Sequence, residues 1–104
     1  MSWIYLLIAG LFEMGFTTSL KLSVGFTKAI PTVFFGLCAI LSFWCLNKAI
    51  EVIPLGIAYA VWTGIGAAGT VIIGMMFFDD HLNGWEIFFL CTLVFSIFGL
   101  KFFA

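Results

Sequence analysis

Residues 3–22 read WIYLLIAGLFEMGFTTSLKL, an apolar run with one carboxylate, Glu13, and no other charge before Lys21. At 1.5 Å per residue, twenty residues in a helix reach about 30 Å, the thickness of a bilayer's hydrocarbon core. Glu13 falls near the centre of that run. An acidic residue at mid-depth costs about 2.5–3.5 kcal/mol on insertion scales. Hydrocarbon penalises the ionised carboxyl, so its charge is tolerated only when a proton or a ligand cation meets it.

Three more apolar runs follow. The second covers residues 31–48, from Pro31 to Leu46 with Asn47 and Lys48 closing it. The third covers residues 55–78, with Pro54 at its first turn, where a missing N–H costs nothing. The fourth covers residues 84–103. The stretch Asp79-Asp80-His81-Leu82-Asn83, the most polar in the chain, separates the last two. The loops hold only a few residues each, so neighbouring helices are expected to run antiparallel in a compact sheaf.

Composition leads to the same place. The chain has 104 residues, 64% hydrophobic and 9% charged, whereas soluble domains carry about 25% charged residues. Too little polar surface exists to cover a soluble fold, and lipid is the solvent that fits. The expectation is one all-α membrane domain, residues 1–104, with four transmembrane helices. Trp3, Tyr5, Trp44 and Trp85 fall near run ends, as interfacial aromatic belts require. The first run lacks a basic leader and Glu13 interrupts it, so it is not read as a cleaved signal peptide.

Several function classes drop out. A net charge of −1 leaves no basic patch for nucleic acid. Cys38, Cys45 and Cys91 all lie in apolar runs and are read as packing residues. The single histidine, His81, lies apart from them, and Asp79-Asp80-His81 reads as a solvated turn rather than a metal site. No nucleophile–base set and no phosphate loop is visible, so neither an enzyme nor a cofactor is expected.

Lysine placement bears on orientation. Lys48 and Lys101 fall on one side of the membrane, Lys21 and Lys28 on the other, and there is no arginine. Lys and Arg bias sets topology, and two against two is no bias. Insertion in both orientations would allow an antiparallel homodimer.

Helical spacing shows what accompanies Glu13. Gly10 lies three residues before it, and Phe16 and Thr17 lie three and four after, on a shared face. Gly10 would remove bulk beside the carboxyl and Thr17 would offer a hydroxyl. Tyr59 and Trp62 are three apart on the third helix. Two aromatic faces beside a carboxylate suit an organic cation, through charge pairing and a cation–π attraction of about 0.5–2 kcal/mol. Ser42 and Tyr59 could hold the carboxylate by hydrogen bonds, and Thr63 is placed with them in the site lining. Ordinary helix packing is the competing explanation for each aromatic taken alone.

Gly56, Ala60, Gly64 and Ala68 recur every four residues on the third helix, a small-xxx-small pattern that lets backbones approach. Gly64 and Gly66 together make a point where that helix could bend. Thr92, Ser96 and Gly99 repeat a weaker form of the pattern on the fourth helix. That face is a candidate dimer contact, with packing inside one subunit as the alternative.

The whole chain resembles the small multidrug resistance family. The resemblance is carried by Ala9-Gly10-Leu11-Phe12-Glu13, by Gly25-Phe26-Thr27 followed by Pro31, and by the long segment Ile53-Pro54-Leu55-Gly56-Ile57-Ala58-Tyr59-Ala60-Val61-Trp62-Thr63-Gly64-Ile65-Gly66. It implies an antiparallel dual-topology homodimer in the bacterial inner membrane that exchanges protons for organic cations at paired glutamates. Carried across, Glu13 is the shared proton and substrate carboxylate. Tyr59 and Trp62 line the site, Ser42 is a hydrogen-bond partner of Glu13, Gly10 is its small neighbour, and Lys101 closes the fourth helix. Gly10, Ser42, Thr63-Gly64-Ile65-Gly66 and Gly99-Leu100-Lys101 look like the guanidinium exporters. That subtype usually has Trp where this chain has Phe16, and Thr17-Thr18 looks like the branch that exports quaternary ammonium compounds. The expected substrates are therefore guanidinium-type compounds, quaternary ammonium drugs, or both. The alternatives are a non-transporting partner subunit of a heterodimeric pair and, less in keeping with so many large aromatics, a passive cation channel.

Overall fold

The computed structural model describes residues 2–103. It contains α1 (Ser2–Leu22), α2 (Ala29–Ala49), α3 (Leu55–Phe77) and α4 (Gly84–Phe103). All four helices are long and apolar enough to cross a membrane. Three start or stop one or two residues away from the expected points. The largest difference is α2, which begins at Ala29 instead of Pro31. Pro31 is tolerated there because the first turn of a helix has no intrahelical acceptor for its N–H groups.

Each connection has a local cause. After α1, Val24, Gly25 and Phe26 all take positive φ, at 49°, 69° and 67°. Only Gly25 does so without a Cβ penalty. The buried Ser23 holds this turn together: its hydroxyl donates to the Leu20 carbonyl and accepts the Phe26 N–H. Pro54 sits just outside α3 as its N-cap residue, and its carbonyl accepts the Ala58 N–H. At the other end of α3, the N–H groups of Phe78 and Asp80 both reach the Gly74 carbonyl. Between them Asp79 adopts φ 59°, a conformation Asp tolerates better than most residues. Asn83 then starts α4, its side-chain oxygen accepting the Glu86 N–H at 2.9 Å.

The helices form an open layer, not the compact sheaf expected. α1 is central and packs most extensively on α2, then on α3; the backbone of α4 comes close to that of α3 alone, and the backbones of α2 and α3 approach at only a few points. The order across the layer is therefore α2, α1, α3, α4. Its shortest extent is 17 Å, against 41 and 35 Å in the other two directions. No residue of α4 is buried. In water such a layer would collapse on itself. In lipid there is no hydrophobic drive between helices, so wide apolar faces can stay uncovered. The ends of the layer are consistent with alternating helix direction. The Lys101 ammonium lies over the Trp3 ring and the Lys21 ammonium over the Phe78 ring.

Candidate functional site

Glu13 lies one residue past the middle of α1. Its carboxyl rests against α3 at Gly66, where an added Cβ would collide with the side chain. The Oε1 atom is buried and has no hydrogen-bond partner among the described residues. An uncompensated polar atom in an apolar interior costs free energy. In lipid no water offsets that cost.

The contact between α1 and α3 is built around this pair. Ile65 fills the space beside Gly10, and Met14 lies on Gly69, one turn from Gly66. A further turn along, the hydroxyls of Thr17 and Thr70 meet at 2.8 Å. Thr17 also reaches the Glu13 and Met14 carbonyls, each at 3.0 Å. The Thr17 hydroxyl thus links its own helix to Thr70 of α3. The two helices run parallel here, so glycines on α3 receive side chains of α1 in successive turns.

A second polar join ties three helices together. Ser42 of α2 is fully buried. Its hydroxyl donates to the Ala9 carbonyl of α1 at 2.7 Å and accepts the Trp62 indole N–H of α3 at 3.0 Å. The Trp62 ring continues into an aromatic wall. Tyr59 lies 5.8 Å from it and Phe43 lies 5.5 Å from it, between ring centroids. Phe43 in turn stacks with Phe16 at 6.4 Å. Trp62 and Gly66 are one turn apart on α3, as are Glu13 and Phe16 on α1, so wall and carboxyl occupy the same stretch of the two helices.

Several expected placements change. Ser42 is bonded to Ala9 and Trp62 rather than to Glu13. The Thr17 hydroxyl is engaged by backbone carbonyls and Thr70, not by the carboxyl. Gly10 is occupied by Ile65, and the glycine that makes room for the carboxyl is Gly66. Gly64 faces the other way, against Leu93 and Ile97 of α4, and α3 is unbroken through both glycines. Tyr59 is 57% exposed, whereas Trp62 is 7% exposed. Thr63 is exposed, as are Thr92 and Ser96, and the Thr92 hydroxyl returns to the Phe88 carbonyl of its own helix. The layer therefore links Phe16, Ser42 and Trp62 through Phe43, seats Glu13 against Gly66 one turn from Phe16, and leaves Thr63, Thr92 and Ser96 exposed. Sequence reasoning gave no role to Met14, counted Gly69 only among the small residues of the third helix and Thr70 only among the intramembrane polar groups. Gly66, Gly69 and Thr70 recur at three- and four-residue spacing on α3, and that was the available signal.

The model of the small multidrug resistance protein family matches residues 1–93. The chain belongs to this family. It is 43% identical over 101 residues to the guanidinium exporter of Proteus vulgaris, covering 97% of both chains. It is 42% identical over 101 residues to the guanidinium exporters of Escherichia coli K12 and Salmonella typhimurium, covering 97% of this chain and 96% of each relative. This small multidrug resistance protein is thus a multi-pass transporter of the bacterial inner membrane and not an enzyme.

Proposed function

We propose that the protein is a proton-coupled antiporter that exports small organic cations, guanidinium-type compounds first. The observation that carries this reading is the mid-span Glu13 carboxyl, whose buried Oε1 has no hydrogen-bond partner among the described residues, one helical turn from Phe16 in the wall of Phe16, Phe43, Trp62 and Tyr59. A neutral carboxylic acid can sit there at moderate cost. An ionised one needs a positive partner, and the aromatic faces add cation–π attraction for an organic cation over a metal ion. The substrate preference rests on the names of the relatives. Phe16 presents a hydrocarbon ring without an N–H donor, which widens the range toward hydrophobic quaternary ammonium ions.

The working unit in this proposal is an antiparallel homodimer. Balanced lysines permit both orientations, and the open layer leaves an apolar face for a second copy. Thr92, Ser96 and Gly99 on uncovered α4 are the proposed contact. With both Glu13 side chains ionised, a cation binds between them. Protons arriving from the opposite side displace it, because one site cannot hold both. Two nearby carboxyls titrate as a coupled pair. If the subunits are identical and opposed, the inward and outward states are one structure turned over and have equal energy. Gly64 and Gly66 are the proposed points where α3 bends during that exchange.

The test is transport by reconstituted vesicles. Glu13→Gln keeps the shape and removes the titration, so guanidinium uptake driven by a proton gradient should vanish while the protein remains folded. Undiminished uptake would take Glu13 out of the mechanism. A panel of guanidinium against tetraalkylammonium ions on solid-supported membranes then sets the substrate range.

A further inference from the structure

A groove of about 580 Å³ runs between α1, α3 and α4, lined by Leu6, Leu7, Val61, Ile65, Ala68 and Ile97. It shares no lining residue with the Glu13 carboxyl and its aromatic wall, and it has its own polar end. Along α1 it extends from Trp3 to Met14, eleven residues, or about 16 Å of helix. That is close to the depth of one leaflet, half of a hydrocarbon core of about 30 Å. Trp3 and Lys101 stand at the end nearest the membrane surface. The Lys101 ammonium lies 5.6 Å from the Trp3 ring centroid. Among the described residues no carboxylate is within ion-pair distance of it.

We infer that this groove binds one anionic phospholipid, with an acyl chain along Leu7 and Ile65 and its phosphate at Lys101. Three features converge on this occupant. The walls are apolar, the depth fits a leaflet-long chain, and the one charged group is a cation at headgroup height beside an interfacial tryptophan. A zwitterionic lipid supplies the same chain but cancels the charge with its own ammonium. Selectivity for an anionic headgroup is therefore the signature that separates this site from ordinary lipid solvation. A single lysine near a headgroup corresponds to about a fivefold preference.

The experiment is native mass spectrometry of the full, delipidated chain, titrated with phosphatidylglycerol or phosphatidylcholine. Wild type should retain phosphatidylglycerol about fivefold more strongly. Lys101→Gln should erase that preference, and glycerol phosphate, which has no chains, should not compete. Leu7→Trp, at an exposed position of the groove wall, should weaken both lipids by filling the groove. An unchanged preference in Lys101→Gln, or unchanged retention in Leu7→Trp, overturns the inference. Loss of a dimer signal in Leu7→Trp with lipid still bound would give the groove to a second copy and overturn it equally.

Discussion

The Glu13 carboxyl on α1 lies against the backbone of Gly66 on α3, at a point where no side chain on α3 would leave it room. The acid is therefore held by shape and not by a hydrogen bond. Gly66→Ala raises intrinsic helix propensity, yet its methyl group would force the carboxyl aside. The expected outcome is a loss of about 1–3 kcal/mol in the α1–α3 contact and at least a tenfold drop in proton-driven guanidinium uptake. Thermal unfolding and vesicle uptake, measured side by side, check the two parts. Wild-type uptake would show that the seat has no function.

Gly10 gives a contrasting case. The space beside it holds Ile65, with the branched Cβ itself close by, so a methyl group on Gly10 cannot be accommodated by moving the tip of the isoleucine. Gly10→Ala should destabilise the protein by about 1–3 kcal/mol. Adding Ile65→Ala should restore much of that loss, since the pair shares one volume. Failure of the double variant to recover would move the role of Gly10 away from helix packing.

Much of this organisation was legible in the sequence, for a physical reason. Bilayer thickness fixes the length of a span, so the four helices could be marked from apolar runs alone, and Glu13 stood out because acids are costly at mid-depth. Less could be read of which side chain meets which. Thr17 and Gly10 were assigned to the carboxyl by spacing along α1, and Ser42 as a polar group of α2 and through the family resemblance. In the structure each is bonded or packed elsewhere, because the partners that claim them, Trp62, Thr70 and Ile65, lie on α3. Spacing within α1 gives the face a residue occupies, not the offset of the neighbouring helix. The open layer was missed for a related reason: in lipid, hydrophobic pattern does not report burial, and α4 is as apolar as α3 with nothing buried.

The hydroxyl pair Thr17–Thr70 fixes that offset one turn beyond the carboxyl. Thr70→Val keeps the shape and removes the hydroxyl. Side-chain hydrogen bonds between membrane helices average about 0.6 kcal/mol, so folding should change little. If the pair sets helix register at Glu13, the rate of guanidinium exchange should still change several-fold, and Thr17→Val should add nothing to it. Fully additive effects in that double-mutant cycle would show that the two hydroxyls act separately.

Ser42 carries a larger stability cost. Ser42→Ala removes the acceptor of the Trp62 indole N–H and the donor to the Ala9 carbonyl together. A buried N–H left unsatisfied costs about 1–3 kcal/mol. The variant should unfold at lower temperature and show altered Trp62 fluorescence, which an additional Trp62→Phe should abolish. If Ser42→Ala unfolds as wild type does, the three-helix join contributes nothing.

Competition between cation and proton at Glu13 makes a graded prediction. Deprotonation creates the charge that the cation needs, so affinity should rise with pH and level off once the carboxyls are ionised. On the acid limb, apparent affinity should change about tenfold per pH unit for each proton displaced. A slope near one would mean that a single proton leaves when the cation enters. A slope near two would mean that both carboxyls of a dimer release protons together. Guanidinium titrations followed by Trp62 fluorescence across the pH range measure this slope directly, with Glu13→Gln as the flat reference. A wild-type profile equally flat would show that proton and cation do not share the carboxyl, and exchange would then need a different coupling group.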